Sequence, residues 1–219
     1  MPPIRRAAIF DLDGTVIDCS SEKKFAAHLM EQGVVRFRDL ARWFAHMLAD
    51  LPRDPARALK ANRSYLSGKP IDLLRDAAAQ FIEAEMKARI SAAAYEAVNR
   101  HRADGDLILV LSGSLDMLVA PIAAHLGADG YRASVLETAE GIVTGRLAAL
   151  HPMGRHKVTI AEEMAAQHGF RLSEATAYAD RRSDAALLKR VQTPVAVTPK
   201  RRLRWFASRA GWEIADWHR

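Results

Sequence analysis

Short apolar runs, each halted by acidic or turn residues, recur along the 219-residue chain. Ala7-Ala8-Ile9-Phe10 stops at Asp11, and Leu107-Ile108-Leu109-Val110-Leu111 stops at Ser112-Gly113-Ser114. Tyr131 to Leu136 is a weaker run, Ala175 to Ala179 stops at Asp180, and Pro194-Val195-Ala196-Val197 stops at Thr198-Pro199. Runs of this kind predict buried parallel strands. Helical spacing predicts helices over Leu115 to Leu126, Lys157 to His168 and Asp184 to Val191. Strands alternating with helices predict an α/β fold with a doubly wound, mainly parallel sheet. Gly141 to Leu147 predicts a local β-hairpin before the helix at Lys157.

The segment from about Ser20 to Arg89 breaks this rhythm. It shows no strand pattern, and its apolar residues fall at helical spacing: Phe25 and Leu29, then Leu40, Phe44, Met47 and Leu48. Pro52, Pro55 and Pro70 divide it into about four predicted helices. The expected organisation is a catalytic core of residues 1–18 and 88–219, with a helical cap of residues 19–87 inserted after the first strand.

Composition narrows the class further. An apolar fraction of 49% supplies a large core and excludes a disordered chain. The net charge of +6 favours an anionic partner without choosing among phosphorylated metabolites, lipid and nucleic acid. The single cysteine, Cys19, forbids an intrachain disulfide and fits a reducing compartment. No apolar signal core follows the basic N-terminus, and no stretch approaches the ~20 apolar residues of a membrane span, so a cytoplasmic setting is expected.

In open α/β sheets, ligands bind beyond the carboxyl ends of the strands. Asp11 and Asp13, Ser112, Lys157, and Asp180 with Asp184 all fall at that edge. Their chemistry is complementary. Mg²⁺ takes oxygen ligands, which Asp11, Asp180 and the Asp13 main-chain carbonyl can supply. Lys157, the Ser112 hydroxyl and the Gly113 N–H can hold phosphate oxygens.

Four motifs in order carry a resemblance: Asp11-Leu12-Asp13-Gly14-Thr15, Leu111-Ser112-Gly113-Ser114, Gly154-Arg155-His156-Lys157, and Ala179-Asp180-Arg181-Arg182-Ser183-Asp184. With them the chain resembles the haloacid dehalogenase-like hydrolases, closest to the subgroup that includes phosphoserine phosphatase. The resemblance implies a Rossmann-like core with an inserted helical cap and a Mg²⁺-dependent phosphatase acting on a small phosphorylated metabolite. It implies Asp11 as nucleophile and Asp13 as general acid and base. For that role Asp13 must carry a proton near neutral pH, against an ordinary value of about 3.9; crowding by Asp11, Asp180 and Asp184 is expected to help. It further implies Thr15 as a stabiliser of the motif loop and Asp184 as an orienter of metal-bound water.

Two departures qualify the match. In phosphoserine phosphatases a glutamate at the cap entrance can meet the substrate ammonium. Spacing puts Ser20 there, so phosphoserine itself is not the expected substrate; the alternative is that Glu22, two residues on, swings in. Arg181 and Arg182 follow Asp180 where small residues are usual. They read either as solvated arginines or as contacts to a second anionic group on the substrate, and Arg53 and Arg57 of the cap could act likewise.

Other residues take plainer readings. Cys19 is expected to pack in the hinge, and His151 and His156 to lie at the surface beside the third motif. The tail from Lys200 to Phe206 is expected to form an amphipathic helix that packs Leu203, Trp205 or Phe206 on the sheet, and no nucleic-acid partner is expected. Competing functions are a phospholipid-headgroup or lysophospholipid phosphatase at a membrane surface, and a non-catalytic phosphate-binding module. Monomer and homodimer both stay open.

Overall fold

The structure is a computed structural model that describes residues 6–52 and 61–218. Arg53, Pro55 and Arg57 lie outside the described residues. A six-stranded sheet forms the centre. Its strands are β1 (Ala7–Phe10), β2 (Leu107–Leu115), β3 (Gly130–Ser134), β6 (Thr176–Ala179), β7 (Thr193–Val197) and β8 (Glu213–Ala215), in the order β3-β2-β1-β6-β7-β8. Every pairing in it is parallel. The order reverses direction between β1 and β6, which is where a doubly wound sheet opens its binding crevice.

The pleat sends alternate side chains of β1 to opposite layers. Ala8 and Phe10 join a core with helices α4 (Ala92–Ala103) and α5 (Asp116–His125). Ala7 and Ile9 join a second core with α6 (Arg155–His168), α7 (Ala185–Leu188) and α8 (Arg201–Ala210). All four residues are buried, which is why β1 reads as an unbroken apolar run.

Between β1 and α4 stands the helical cap. It contains α1 (Ser21–Glu31), α2 (Phe37–Asp50) and α3 (Ile71–Phe81), the last extended by a π-turn over Ile82–Met86. Phe25, Leu29, Leu66, Leu74, Phe81 and Met86 are buried in the same apolar cluster as Phe10, so the cap packs directly on one layer of the core. Its two stalks meet at Ile17 and Ile90, which form an antiparallel bridge.

Two expectations needed correction. The hairpin begins earlier than Gly141: β4 (Leu136–Ala139) pairs with β5 (Ile142–Leu147) around Glu140-Gly141. It also buttresses the cap, since the Arg63 N–H donates to the Gly145 carbonyl (3.1 Å) and the Gly68 N–H to that of Val143 (2.9 Å). A β-carbon on Gly145 would press on the Ser64 backbone, so close approach requires glycine there. The helix expected from Asp184 to Val191 is shorter, a 3₁₀ turn over Arg182–Asp184 followed by α7. The tail forms the expected helix, α8, which packs Leu203 and Ala207 on the core while Trp205 stays 60% exposed, and an edge strand, β8, follows it. Among the described residues, no helix is long and apolar enough to cross a membrane.

Candidate active site

The carboxyl ends of β1, β2 and β6 and the start of α6 converge on a cavity of about 440 Å³. Asp11, Asp13, Ser112, Gly113, Lys157, Arg181 and Asp184 line it. Asp11 follows β1 directly, and its N–H donates to the Tyr178 carbonyl of β6 (3.0 Å), which fixes the chain at the crevice. The first motif then turns sharply: the Gly14 N–H donates to the Ile17 carbonyl (2.8 Å) and the Thr15 N–H to that of Leu12 (3.2 Å). Gly14 has φ +80°, and a β-carbon on it would collide with the Asp180 carboxylate. Glycine is therefore required twice at this position, for conformation and for space.

Lys157 ties the motifs together. Its buried ammonium lies 2.7 Å from Asp11 Oδ1 and 3.0 Å from Asp184 Oδ1. Neither oxygen of the buried Asp180 accepts a hydrogen bond among the described residues, and the nearest cation is Arg181 Nε at 3.5 Å. Carboxylate oxygens of Asp11, Asp180 and Asp184 all lie within 4.8 Å of one another. Three carboxylates against the buried Lys157 and the half-exposed Arg181 leave an excess of one negative charge when all are ionised. Burial lifts the Asp11 carboxyl to about 7 against the pull of Lys157, with Asp184 and Asp180 adding to the rise. Burial likewise lifts Asp180 to about 6, although Arg181 opposes it. Lys157 is held firmly as the cation: its two carboxylate partners overcome the cost of burial. A buried, donor-poor, all-oxygen cluster with this charge excess fits a hard divalent cation.

Asp13 is placed differently from the crowded position expected of it. Its Oδ1 accepts from the Ser21 N–H (3.1 Å) and the Ser21 hydroxyl (2.7 Å), and its Oδ2 accepts from the Ser114 hydroxyl (2.8 Å). Asp184 lies in the carboxylate cluster beside Asp11 and Asp180. Ser112 is buried, and its Oγ accepts from the Ser114 N–H (3.2 Å). Thr15 is buried; its carbonyl accepts from His218 Nε2 (2.8 Å), while its hydroxyl has no partner among the described residues. Arg182 points away from the cavity, over the Phe206 ring. His151 lines the cavity rather than the outer surface, with Nδ1 2.7 Å from Ser134 Oγ. Burial pushes the Cys19 thiol up to about 11, so it is not an activated nucleophile.

The cap contributes the far wall with Ala26, Leu40, Trp43 and Tyr65. Ser20 and Glu22 both reach the cavity, but only Glu22 brings charge. Arg63 Nη2 donates to Glu22 Oε2 (2.8 Å) and the Tyr65 hydroxyl to Oε1 (3.1 Å). Burial raises the Glu22 carboxyl above its usual range, against these two partners. Spacing from the first motif had singled out Ser20. The phase of α1, whose first turn carries Glu22 inward, is the signal that identifies the charged residue. Ser21, Ser114 and Arg63 were missed, because isolated hydroxyls and one cap arginine form no pattern in sequence.

Comparison with known proteins agrees with this geometry. The family model described as haloacid dehalogenase-like hydrolase matches residues 8–189. A Streptomyces azureus protein named for inhibition of morphological differentiation is 31% identical over 98% of this chain and 79% of its own. A phosphoserine phosphatase of Mycobacterium tuberculosis is 29% identical over 98% of this chain and 72% of its own. A crystal structure of a Bordetella pertussis protein of unknown function superposes with a TM-score of 0.82 at 26% identity, covering 97% of this chain and 99% of that one.

Proposed function

The chain belongs to the haloacid dehalogenase-like hydrolases and is a phosphoric monoester hydrolase; from that premise we propose that it hydrolyses a small phosphomonoester through an aspartyl-phosphate on Asp11, with Mg²⁺ as cofactor. The observation that carries the proposal is the buried Lys157 held between Asp11 and Asp184 beside the donor-free oxygens of Asp180. In this reading residues 1–18 and 88–219 are the catalytic core and residues 19–87 the cap. A cytoplasmic setting, with Cys19 reduced, belongs to the same reading.

The residues divide the work. The Asp11 carboxylate attacks phosphorus while the leaving oxygen takes a proton from Asp13. Asp13 then withdraws a proton from the water that cleaves the acyl phosphate. One difficult displacement becomes two easier ones. The Ser112 hydroxyl and the Gly113 N–H orient the phosphoryl oxygens, and Lys157 offsets their charge. Ser21 and Ser114 aim the Asp13 carboxyl. Asp11, Asp180 and the Asp13 carbonyl would hold Mg²⁺, with Asp184 alongside. When bound, the ion supplies the positive charge that keeps its carboxylates ionised and offsets that of the phosphoryl group.

The leaving group meets the Glu22–Arg63 pair and the apolar wall of Leu40 and Trp43. Glu22 is already engaged by two donors, so the proposed substrate is a small phosphomonoester other than phosphoserine. Arg181, half of whose side chain is exposed at the cavity, is the residue proposed to meet a further anionic group. Hydrolysis of a generic aryl phosphate, with Mg²⁺ and after chelation, tests the reading. Turnover that requires Mg²⁺ is expected. Absence of turnover with the ion present would refute it.

A further inference from the structure

α2 turns two apolar faces in different directions. Leu40 and Trp43 face inward and line the cavity. Phe37, Phe44 and Leu48 face outward and are 82%, 52% and 50% exposed, and Leu51 at the helix end is also exposed. At 3.6 residues per turn, positions 37, 41, 44, 48 and 51 fall in one row, with the exposed Ala41 filling the gap. Scattered exposed apolar residues are ordinary, but a continuous row of them on one helix marks a contact surface.

Among the described side chains of α2, the exposed formal charge beside this row has one sign. Arg36, Arg38 and Arg42 are exposed next to it. Asp39, the acidic side chain described on α2, is buried and engaged by Lys69 (3.1 Å) and Arg42 (3.4 Å). An exposed apolar row flanked by arginines is the composition of a helix lying in a lipid interface.

We propose that the outer face of α2 docks on an anionic lipid surface. Phe37, Phe44 and Leu48 enter the boundary of the acyl chains, and the flanking arginines meet the headgroups. Charge decides against a second copy as occupant. A two-fold contact would set the same arginines against one another. The chain's net charge of +6 draws it toward an anionic surface as well. Because α2 also walls the cavity with Leu40 and Trp43, docking bears on which phosphomonoesters reach Asp11.

The test is co-sedimentation of the full chain with phosphatidylglycerol–phosphatidylcholine vesicles and with pure phosphatidylcholine vesicles. Retention is expected on the anionic vesicles, weakening as salt rises. It should fall by about tenfold or more in Phe44→Glu/Leu48→Glu, whose aryl-phosphate hydrolysis matches wild type. Phe37→Ser, at the most exposed position, gives a smaller fall in the same direction and serves if the double variant does not fold. No retention on anionic vesicles would overturn the proposal. So would retention unchanged in these variants but lost in Arg201→Glu/Arg202→Glu of α8. A concentration-dependent dimer that Phe44→Glu/Leu48→Glu dissolves, without vesicle binding, would assign the face to a second copy instead. Vesicle binding is read without turnover, so this result and that of the hydrolysis assay stand independently.

Discussion

The core and the cap face one another across the cavity, and they carry their charges differently. On the core side, three carboxylates outnumber the two cations Lys157 and Arg181, and the excess is buried at the ends of strands whose backbones are fixed by parallel pairing. On the cap side, Glu22 is matched one to one by Arg63, with Tyr65 in support; Ala26, Leu40 and Trp43 make the apolar part of the wall, and Lys23 and Asn62 also line it. The core is arranged for a charge that is not its own. The cap's one lining carboxylate is already balanced by Arg63, with Lys23 a further cation on the same wall. In the proposed reading phosphoryl transfer belongs to the core and choice of leaving group to the cap, which predicts how variants on the two sides will divide.

The largest effect belongs to Asp11→Asn. It should lower kcat by about 10³-fold or more on every substrate and leave the fold intact, as circular dichroism would report. Near wild-type kcat in that variant would break the comparison outright. Lys157→Met comes next. It removes the buried cation that bridges Asp11 and Asp184, so kcat should fall by about 10²–10³-fold. The loss of an ion-pair partner should also lower stability by about 3–5 kcal/mol in denaturant titration.

A third prediction concerns pH. Burial lifts the Asp11 and Asp180 carboxyls from 3.8 to about 7 and about 6, so the folded state holds protons that the unfolded chain releases. Each contribution favours folding below the unfolded value and is lost as pH rises toward the folded one. Without metal, thermal stability should therefore decline between about pH 4 and pH 7. Mg²⁺ should restore it at pH 7, because a cation reverses the cause of both shifts. A cation-free melting temperature that rises over this window would contradict the charge excess assigned to the core. The smallest effect belongs to the cap. Arg63→Ala should raise KM several-fold for the natural substrate class while leaving kcat for a small aryl phosphate unchanged. Equal losses of kcat on both would erase the division.

The two regions also differed in how plainly they could be read from sequence. β1, β2, β6 and β7 were legible because buried parallel strands are unbroken apolar runs, and the chemistry sits where each run stops. β8 was not, because three residues at a sheet edge are too few to carry a periodic signal. Asp11, Ser112, Lys157, Asp180 and Asp184 were placed at one edge by topology alone, and they do converge there. The surroundings of Asp13 were not legible, since Ser21 and Ser114 are 93 residues apart and a serine has no signature. In the cap, counting residues pointed to Ser20, whereas the phase of a helix turned Glu22 inward. Distances along the chain fix strand ends better than helix faces, because a strand end is a place and a helix face is an angle.

The central claim is that Asp11 forms a covalent bond to phosphorus. Rapid acid quenching during turnover, followed by borohydride reduction and peptide mass mapping, tests it most directly. The account predicts that an acyl phosphate on Asp11 is reduced to homoserine at position 11 only when substrate and Mg²⁺ are both present. Steady hydrolysis with Asp11 unmodified under those conditions, or homoserine at Asp13 instead, would contradict it.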